Sequence, residues 1–142
     1  MKIKKINRFS KRAFETVSRL LPQLSSDAEL LTRQYFKNIL ASESIHFFIC
    51  ELDKRQIVGM LTIASYKTPS GIKVWIEDVV VDESQRGKGI GKELMIFAIG
   101  YSKSLGAKDI RLTSRPSRIA ANELYLKLGF KKHETNFYKY LS

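Results

Sequence analysis

The stretch "IEDVVVDESQRGKGIGKEL", Ile76 to Leu94, joins a run of apolar β-formers to an amphipathic helical pattern through three closely spaced glycines. Val79, Val80 and Val81 carry the β-branched side chains that favour a strand. Ile90, Leu94, Phe97, Ala98, Tyr101 and Leu105 then recur at helical spacing. A turn between strand and helix needs one glycine or two. Gly87, Gly89 and Gly91 at alternating positions imply that something must approach the backbone closely there. The start of a helix offers unpaired N–H groups and partial positive charge. A phosphate satisfies both, and Arg86 and Lys88 add charge of the right sign.

Outward from this junction, the elements fall into a regular order. "KIKKIN" (Lys2–Asn7) alternates as a first strand, and Phe14, Val17, Leu21 and Leu24 mark a helix over Lys11–Leu24 that is interrupted near Pro22. A second helix is expected in "SSDAELLTRQYFKNIL", with Ser26 and Glu29 as a capping box and Ala28, Leu31, Tyr35 and Ile39 on one face. "IHFFICEL", "IVGMLTIASY" and "KVWIEDVVV" read as three successive strands separated by polar turns. After the glycine-led helix come a short strand "DIRLTS", a fourth helix "RIAANELYLKL" ending at Gly129, and a strand-like tail "HETNFYKYL". The order is β-α-α-β-β-β-α-β-α-β. It predicts an α/β (α+β) fold, a single domain over residues 1–142, with a mixed, mostly antiparallel sheet of six or seven strands flanked by four helices.

Composition narrows the setting. The 142 residues include 25 Lys and Arg against 14 Asp and Glu, a formal charge of +11. Lys2, Lys4, Lys5, Arg8, Lys11 and Arg12 crowd the first twelve positions without an acid among them. Such a surplus attracts anionic partners without naming one, and also keeps a protein in solution. Cys50 is the one cysteine, so no internal disulfide forms, and it reads as buried core rather than a nucleophile. No signal segment and no apolar run of ~20 residues is present, so the expected setting is the cytoplasm and no membrane partner is expected. His46 and His133 lack metal-ligand spacing, and no metal is predicted. Helix-turn-helix, zinc-finger and single-strand aromatic signatures are absent, which argues against a nucleic-acid partner.

Two nucleotide-binding readings of the glycine turn fail. The Gly-Lys pairs precede glycine or glutamate rather than the serine or threonine that a P-loop requires. The dinucleotide spacing G-x-G-x-x-G is not met, and the turn lies beyond the midpoint of the chain rather than in a first βα unit.

"RGKGIG", Arg86–Gly91, resembles the acetyl-coenzyme A signature of the GCN5-related N-acetyltransferase (GNAT) superfamily, and "ANELYLKLGF", Ala121–Phe130, is similar to its second signature. The resemblance extends over essentially the whole chain and is best from Lys73 to Phe130. It implies acetyl-CoA as co-substrate, with Arg86, Gly87, Lys88, Gly89, Ile90, Gly91 and Lys92 around its pyrophosphate. Val79, Val80 and Val81 would pair with the pantetheine arm, and Asn122 would lie beside it. Tyr125 is where the family places the acid for the departing thiolate, although the same residue could simply pack the inner face of its helix. Dimers are common in the family, and "NFYKYL" is the candidate exchange or edge-pairing element.

Glu77 and Asp78 stand inside an apolar strand. Strand neighbours point to opposite faces, so both reach solvent only if the strand is bulged or twisted. A buried unpaired carboxylate is costly, so one of them should meet a cation, bind substrate or relay a proton. Glu77 is the candidate base or relay and Asp78 the candidate substrate contact, with a salt bridge to Arg111 or Arg115 as the structural alternative. "IEDVVV" also looks like the strand of glucosamine-phosphate acetyltransferases, but "SRPSRIAA" (Ser114–Ala121) departs from them. Ser117 is the candidate cap of the fourth helix, and Arg115 and Arg118 the candidate contacts to phosphates or an acidic substrate. Members that acetylate a ribosomal protein's N-terminus tend to carry glutamate where Thr113 stands here, which weighs against that acceptor. The expected activity is direct transfer of acetyl from the thioester to a primary amine, on a small molecule or a polypeptide, the acceptor entering opposite the cofactor near Glu77, the first two helices and the last strands. A non-catalytic protein that senses acetyl-CoA or binds nucleic acid is the reading from a different class.

Overall fold

The computed structural model describes residues 1–142. Its elements are β1 (Lys2–Lys5), α1 (Lys11–Leu24), α2 (Arg33–Ala41), β2 (Ile45–Glu51), β3 (Ile57–Thr68), β4 (Gly71–Val81), α3 (Ile90–Ser104) and α4 (Ile119–Lys127). Single 3₁₀ turns stand at Asp53–Arg55 and Glu83–Gln85. The strands form one antiparallel sheet in the order β1-β2-β3-β4. No helix is long and apolar enough to cross a membrane.

Period-two alternation divides the sheet between two cores. Phe47 and Ile49 of β2 face α1 and α2, where they join Ala13, Val17, Leu20 and Phe36. Phe48 and Cys50 face the other way and meet Leu94, Met95 and Ala98 of α3. Cys50 is thus core, and burial raises its thiol pKa. Phe9, Phe14, Phe36 and Phe47 form a chain of ring contacts beneath α1 and α2, with centroids 5.5 to 6.1 Å apart.

In β4 the alternation changes phase. Val74 and Ile76 belong to the α3 core, as do Val79 and Val81, whereas Val80 belongs to the α1 core. The register explains the switch. Thr62 opposes Glu77 and Met60 opposes Val80, so Leu61 alone stands across from both Asp78 and Val79. This is a β-bulge, with Asp78 at a positive φ of 49°. The bulge is the condition under which both Glu77 and Asp78 can face outward, and both carboxylates reach the surface.

Several expectations need correction. The sheet has four strands, not six or seven, and the element order ends β-α-α. "DIRLTS" forms only one parallel bridge, Arg111 with Trp75, held by Ile76 N–H to Arg111 O at 2.8 Å and Arg111 N–H to Val74 O at 3.0 Å. Beyond Ile76 no hydrogen bond joins β4 to residues 112–115, so the ladder stops after one rung. The tail after Phe130 is exposed and pairs with nothing in the chain, because the neighbour it would extend has not formed as a strand.

The second helix begins at Arg33, not near Ser26. Thr32 caps it through Oγ1, which accepts the Tyr35 N–H at 3.1 Å. Of residues 26–31 only Leu31 packs against the α1 core, Leu30 is 95% exposed, and Phe36 rather than Tyr35 is the buried residue of the helix. Pro22 does not interrupt α1, which runs on to Leu24. Nor does Ser117 cap α4: Arg118 holds that position without a side-chain bond.

Candidate active site

Where β4 and the 111–115 segment part, a cleft of about 1240 Å³ opens. One wall is β4 from Ile76 to Val81. The opposite wall is Leu112–Arg115 and α4 from Ile119 to Tyr125. The glycine turn and the start of α3 close one end, and Gln23, Leu24 and Ser25 at the end of α1 border it.

The glycine turn meets the cleft with bare backbone. Gly87 and Gly89 have φ of +79° and +81°, and a Cβ at either would meet no atom within 4 Å. The room there is therefore not filled by the chain itself. Gly89 is the N-cap of α3 and brings no capping side chain. The amides of Gly89, Ile90, Gly91 and Lys92 donate to no group of the protein. Open donors, the positive end of a fifteen-residue helix and free space together fit an anionic group such as a diphosphate. Arg86 and Lys92 also border the cleft. The Arg86 Nε–H donates to Val81 O at 3.1 Å, which orients its guanidinium across the strand end. Lys88 does not border the cleft; its ammonium donates to Gln85 Oε1 at 2.9 Å.

Along β4, one edge bonds to β3 and the other is free beyond Ile76. Val79, Val80 and Val81 thus present a strand edge to the cleft, as required for pairing with a linear amide chain. Glu77 and Asp78 lie at the mouth and pair with no cation of the protein. Arg111, proposed as their partner, is held instead by Asp109 at 3.1 Å and stacks over Trp75. Partial desolvation by the surrounding walls raises both carboxyl pKa values, and the neighbouring Asp78 charge raises that of Glu77 further.

Tyr125 is 8% exposed, with its ring 6.0 Å from that of Phe130. It borders the cleft, and its hydroxyl bonds to no protein atom. That hydroxyl, unlike the ring, is not sealed from solvent, so it is open to whatever occupies the cleft. Asn122 does not border the cleft; its side-chain amide donates to Arg115 O at 3.1 Å and ties α4 to the preceding loop. Two features escaped the sequence reading. The buried Ser114 Oγ has no partner and borders the cleft. The end of α1 reaches the glycine-turn side of the cleft, a proximity that no local pattern encodes. No three His, Cys, Asp or Glu side chains converge anywhere as metal ligands.

The model of the acetyltransferase (GNAT) family matches residues 10–130. The chain belongs to this family. It is 30% identical over 121 residues to N-acetyltransferase family 8 member 3 of Mus musculus, a match covering 84% of this chain and 51% of that one. It is 44% identical over 59 residues to glucosamine 6-phosphate N-acetyltransferase of Trypanosoma brucei brucei, covering 42% of this chain and 38% of that one. Among solved structures, a transcriptional regulator from Bacillus halodurans C-125 superposes with a TM-score of 0.82 at 26% identity, over 99% of both chains. The chain spans about half the length of the family 8 relatives it matches. The chain thus carries a GNAT-family domain with the family's mixed α/β architecture.

Proposed function

We propose that residues 1–142 act as one domain that transfers an acetyl group from acetyl-CoA to a primary amine. The observation that carries this reading is the unpaired amide run of Gly89–Lys92 beside the free edge of β4, with the unbonded Tyr125 hydroxyl on the facing wall. When bound, acetyl-CoA supplies an acetyl group activated as a thioester. Its diphosphate fits the open amides with Arg86 and Lys92, and its amide-bearing arm fits the edge of Val79–Val81. The amine side is the mouth beside Glu77 and Asp78.

Two proton problems define the residue roles. A free lysine-type amine has a pKa of ~10.4, so at neutral pH it arrives as an ammonium without a lone pair. Asp78 and Glu77, unpaired within the chain, attract that cation, and Glu77 takes its proton directly or through water. The freed nitrogen then bonds to the carbonyl carbon as the C–S bond breaks, and its second proton leaves through water, restoring the Tyr125 hydroxyl after that group has protonated the sulfur. The sulfur leaves toward a thiol of pKa ~8.5, and Tyr125 gives it a proton. An N–H of the β4 edge near Val80 polarises the carbonyl. The raised pKa of Glu77 makes it a better proton acceptor than an ordinary carboxylate.

An amine acceptor agrees with the name of one relative, the glucosamine 6-phosphate N-acetyltransferase of Trypanosoma brucei brucei. The free carboxylates favour an acceptor that carries positive charge. We further propose a homodimer in which the exposed tail of one copy pairs with the sheet of the other: Phe137, Tyr138, Tyr140 and Leu141 are between 77% and 93% exposed. The single, buried Cys50 agrees with a cytoplasmic setting.

Isothermal titration of acetyl-CoA, with ATP as control, tests the cofactor, and thiol release with a panel of amines tests the transfer. Micromolar binding lost in a folded Gly89→Glu variant is the expected result. A folded protein that binds no acetyl-CoA overturns the reading.

A further inference from the structure

Arg19 and Gln23 lie one helical turn apart on α1, away from the residues to which the chemistry is assigned, yet both reach the same short segment, Asp82–Glu83. This segment links the end of β4 to the glycine turn. Asp82 is 6% exposed, an unusual place for a carboxylate. It accepts from the Arg19 guanidinium, from the Ser84 N–H at 3.1 Å and from the Ser84 hydroxyl at 2.9 Å. Its own N–H donates to Val58 O at 2.8 Å, and Arg19 also reaches Ile57 O at 3.4 Å. Gln23 Oε1 accepts the Glu83 N–H at 2.8 Å. The contacts continue forward: Asp82 O accepts from Gln85 N–H at 2.8 Å, and Gln85 Oε1 holds Lys88 at 2.9 Å, one residue from the open amides.

The other end of this linkage is also in the cleft, since Gln23, Leu24 and Ser25 border it. Local glycine-rich backbone has high conformational entropy, and a ligand that uses its amides must bear the cost of ordering it unless other contacts have done so. The contacts of Arg19 and Gln23 order the approach to that backbone before any ligand arrives.

We propose that Arg19 and Gln23 are positioning residues that hold the 82–89 segment ready for the coenzyme, and that they join it mechanically to the α1 wall of the cleft. The inference rests on the coenzyme reading of the glycine turn. It predicts that binding on the α1 side and on the glycine-turn side favour each other, because each occupant orders the same linkage.

Coenzyme A titrations into wild type, Arg19→Met, Arg19→Lys and Gln23→Ala, at a temperature where each is fully folded, test it together with amide hydrogen exchange of the unliganded proteins. Arg19→Met is expected to weaken coenzyme A about tenfold, within the span usual for coupled sites. Arg19→Lys restores part of that loss, and Gln23→Ala costs about threefold, the worth of one modest hydrogen bond. Exchange should quicken at the bonded amides of Glu83, Ser84, Gln85 and Arg86, with β2 unchanged. The exchange data separate positioning from direct contact by Gln23, since no ligand is present. If folded Arg19→Met and Gln23→Ala bind coenzyme A as wild type does, the proposal is overturned while the coenzyme reading stands. Wild type that binds no coenzyme A overturns both. Should Arg19→Met fail to fold, Gln23→Ala, which removes one hydrogen bond from a half-exposed side chain, decides the matter.

Discussion

The Ile76 amide donates to the Arg111 carbonyl at 2.8 Å, and this is the last rung between β4 and the segment that follows α3. One residue later the carboxylate of Glu77 stands at the mouth of the cleft. The end of strand pairing and the start of the chemistry coincide because backbone groups released from a ladder need other partners, and a ligand chain can provide them. The cleft is the space left by an unfinished sheet.

Glu77 should govern the acid side of the pH profile. Its carboxyl is held above the ordinary range by desolvation and by the charge of Asp78. A base must be deprotonated, so kcat/KM should rise with pH through that raised pKa, above where an unperturbed carboxylate titrates. Glu77→Gln should remove this limb and slow turnover by about 10²-fold or more. Asp78→Asn removes the neighbouring charge and should move the limb to lower pH. A limb unmoved by either substitution would assign the base elsewhere.

Removing the Tyr125 hydroxyl should separate catalysis from stability. That group bonds to nothing in the protein, so Tyr125→Phe leaves no donor or acceptor stranded. The urea midpoint should hold, acetyl-CoA affinity should change little, and kcat should fall by about 10²-fold. Equal losses in affinity and kcat would speak for a packing role.

At Gly89 the backbone itself is the target. Its φ of +81° costs an alanine about 1–2 kcal/mol, and the new methyl would project into the open room of the cleft. Gly89→Ala should therefore lower the melting temperature modestly and weaken acetyl-CoA by more than the stability loss alone explains. Calorimetry and titration on one preparation measure both.

Acid should weaken the fold through Asp82 and Glu51. Arg19 holds the Asp82 carboxyl below its usual pKa, and Lys4 at 2.6 Å with Arg12 at 3.0 Å does the same for Glu51. Groups depressed in the folded state contribute stability that is complete above their unfolded pKa and lost as pH falls through the folded one. Urea midpoints followed downward from neutral pH should drop in that window, and Asp82→Asn should flatten the slope. The same variant should lower stability at neutral pH, where the pair is intact.

Deleting Phe137–Ser142 tests the exposed tail. If these residues pair between copies, sedimentation of the full chain gives twice the monomer mass and the truncation gives the monomer. Identical masses for the two would leave the tail without that role.

How much of this was legible beforehand varied with the range of the interactions involved. The glycine turn could be read because its reasons are local: phase of the apolar residues, backbone freedom at Gly89, and charge at Arg86. Glu77 and Asp78 standing together posed a choice, bulge or twist or a buried carboxylate, that the pairing of β4 with β3 decides. The failures were matters of partnership. "DIRLTS" and "NFYKYL" have strand composition, but a strand needs a neighbour, and the sequence of one segment does not contain the other. The Ser26–Glu29 capping pattern lost to Thr32 because Phe36, one turn further on, is the residue that reaches the Phe14–Phe47 cluster. Arg19 carried no signal at all, since its partner lies 63 positions away.

The doubled step at Asp78–Val79 acts on β4 much as a one-letter insertion acts on a reading frame. Before it the even-numbered Val74 and Ile76 face the α3 core, and after it the odd-numbered Val79 and Val81 face that same core. A chain lacking Asp78 would run β4 without interruption, Val79 alone standing across from Leu61 while Val80 and Val81 keep Met60 and Gly59. Substitution at position 78 therefore alters a charge, whereas deletion there removes the carboxylate and the bulge together.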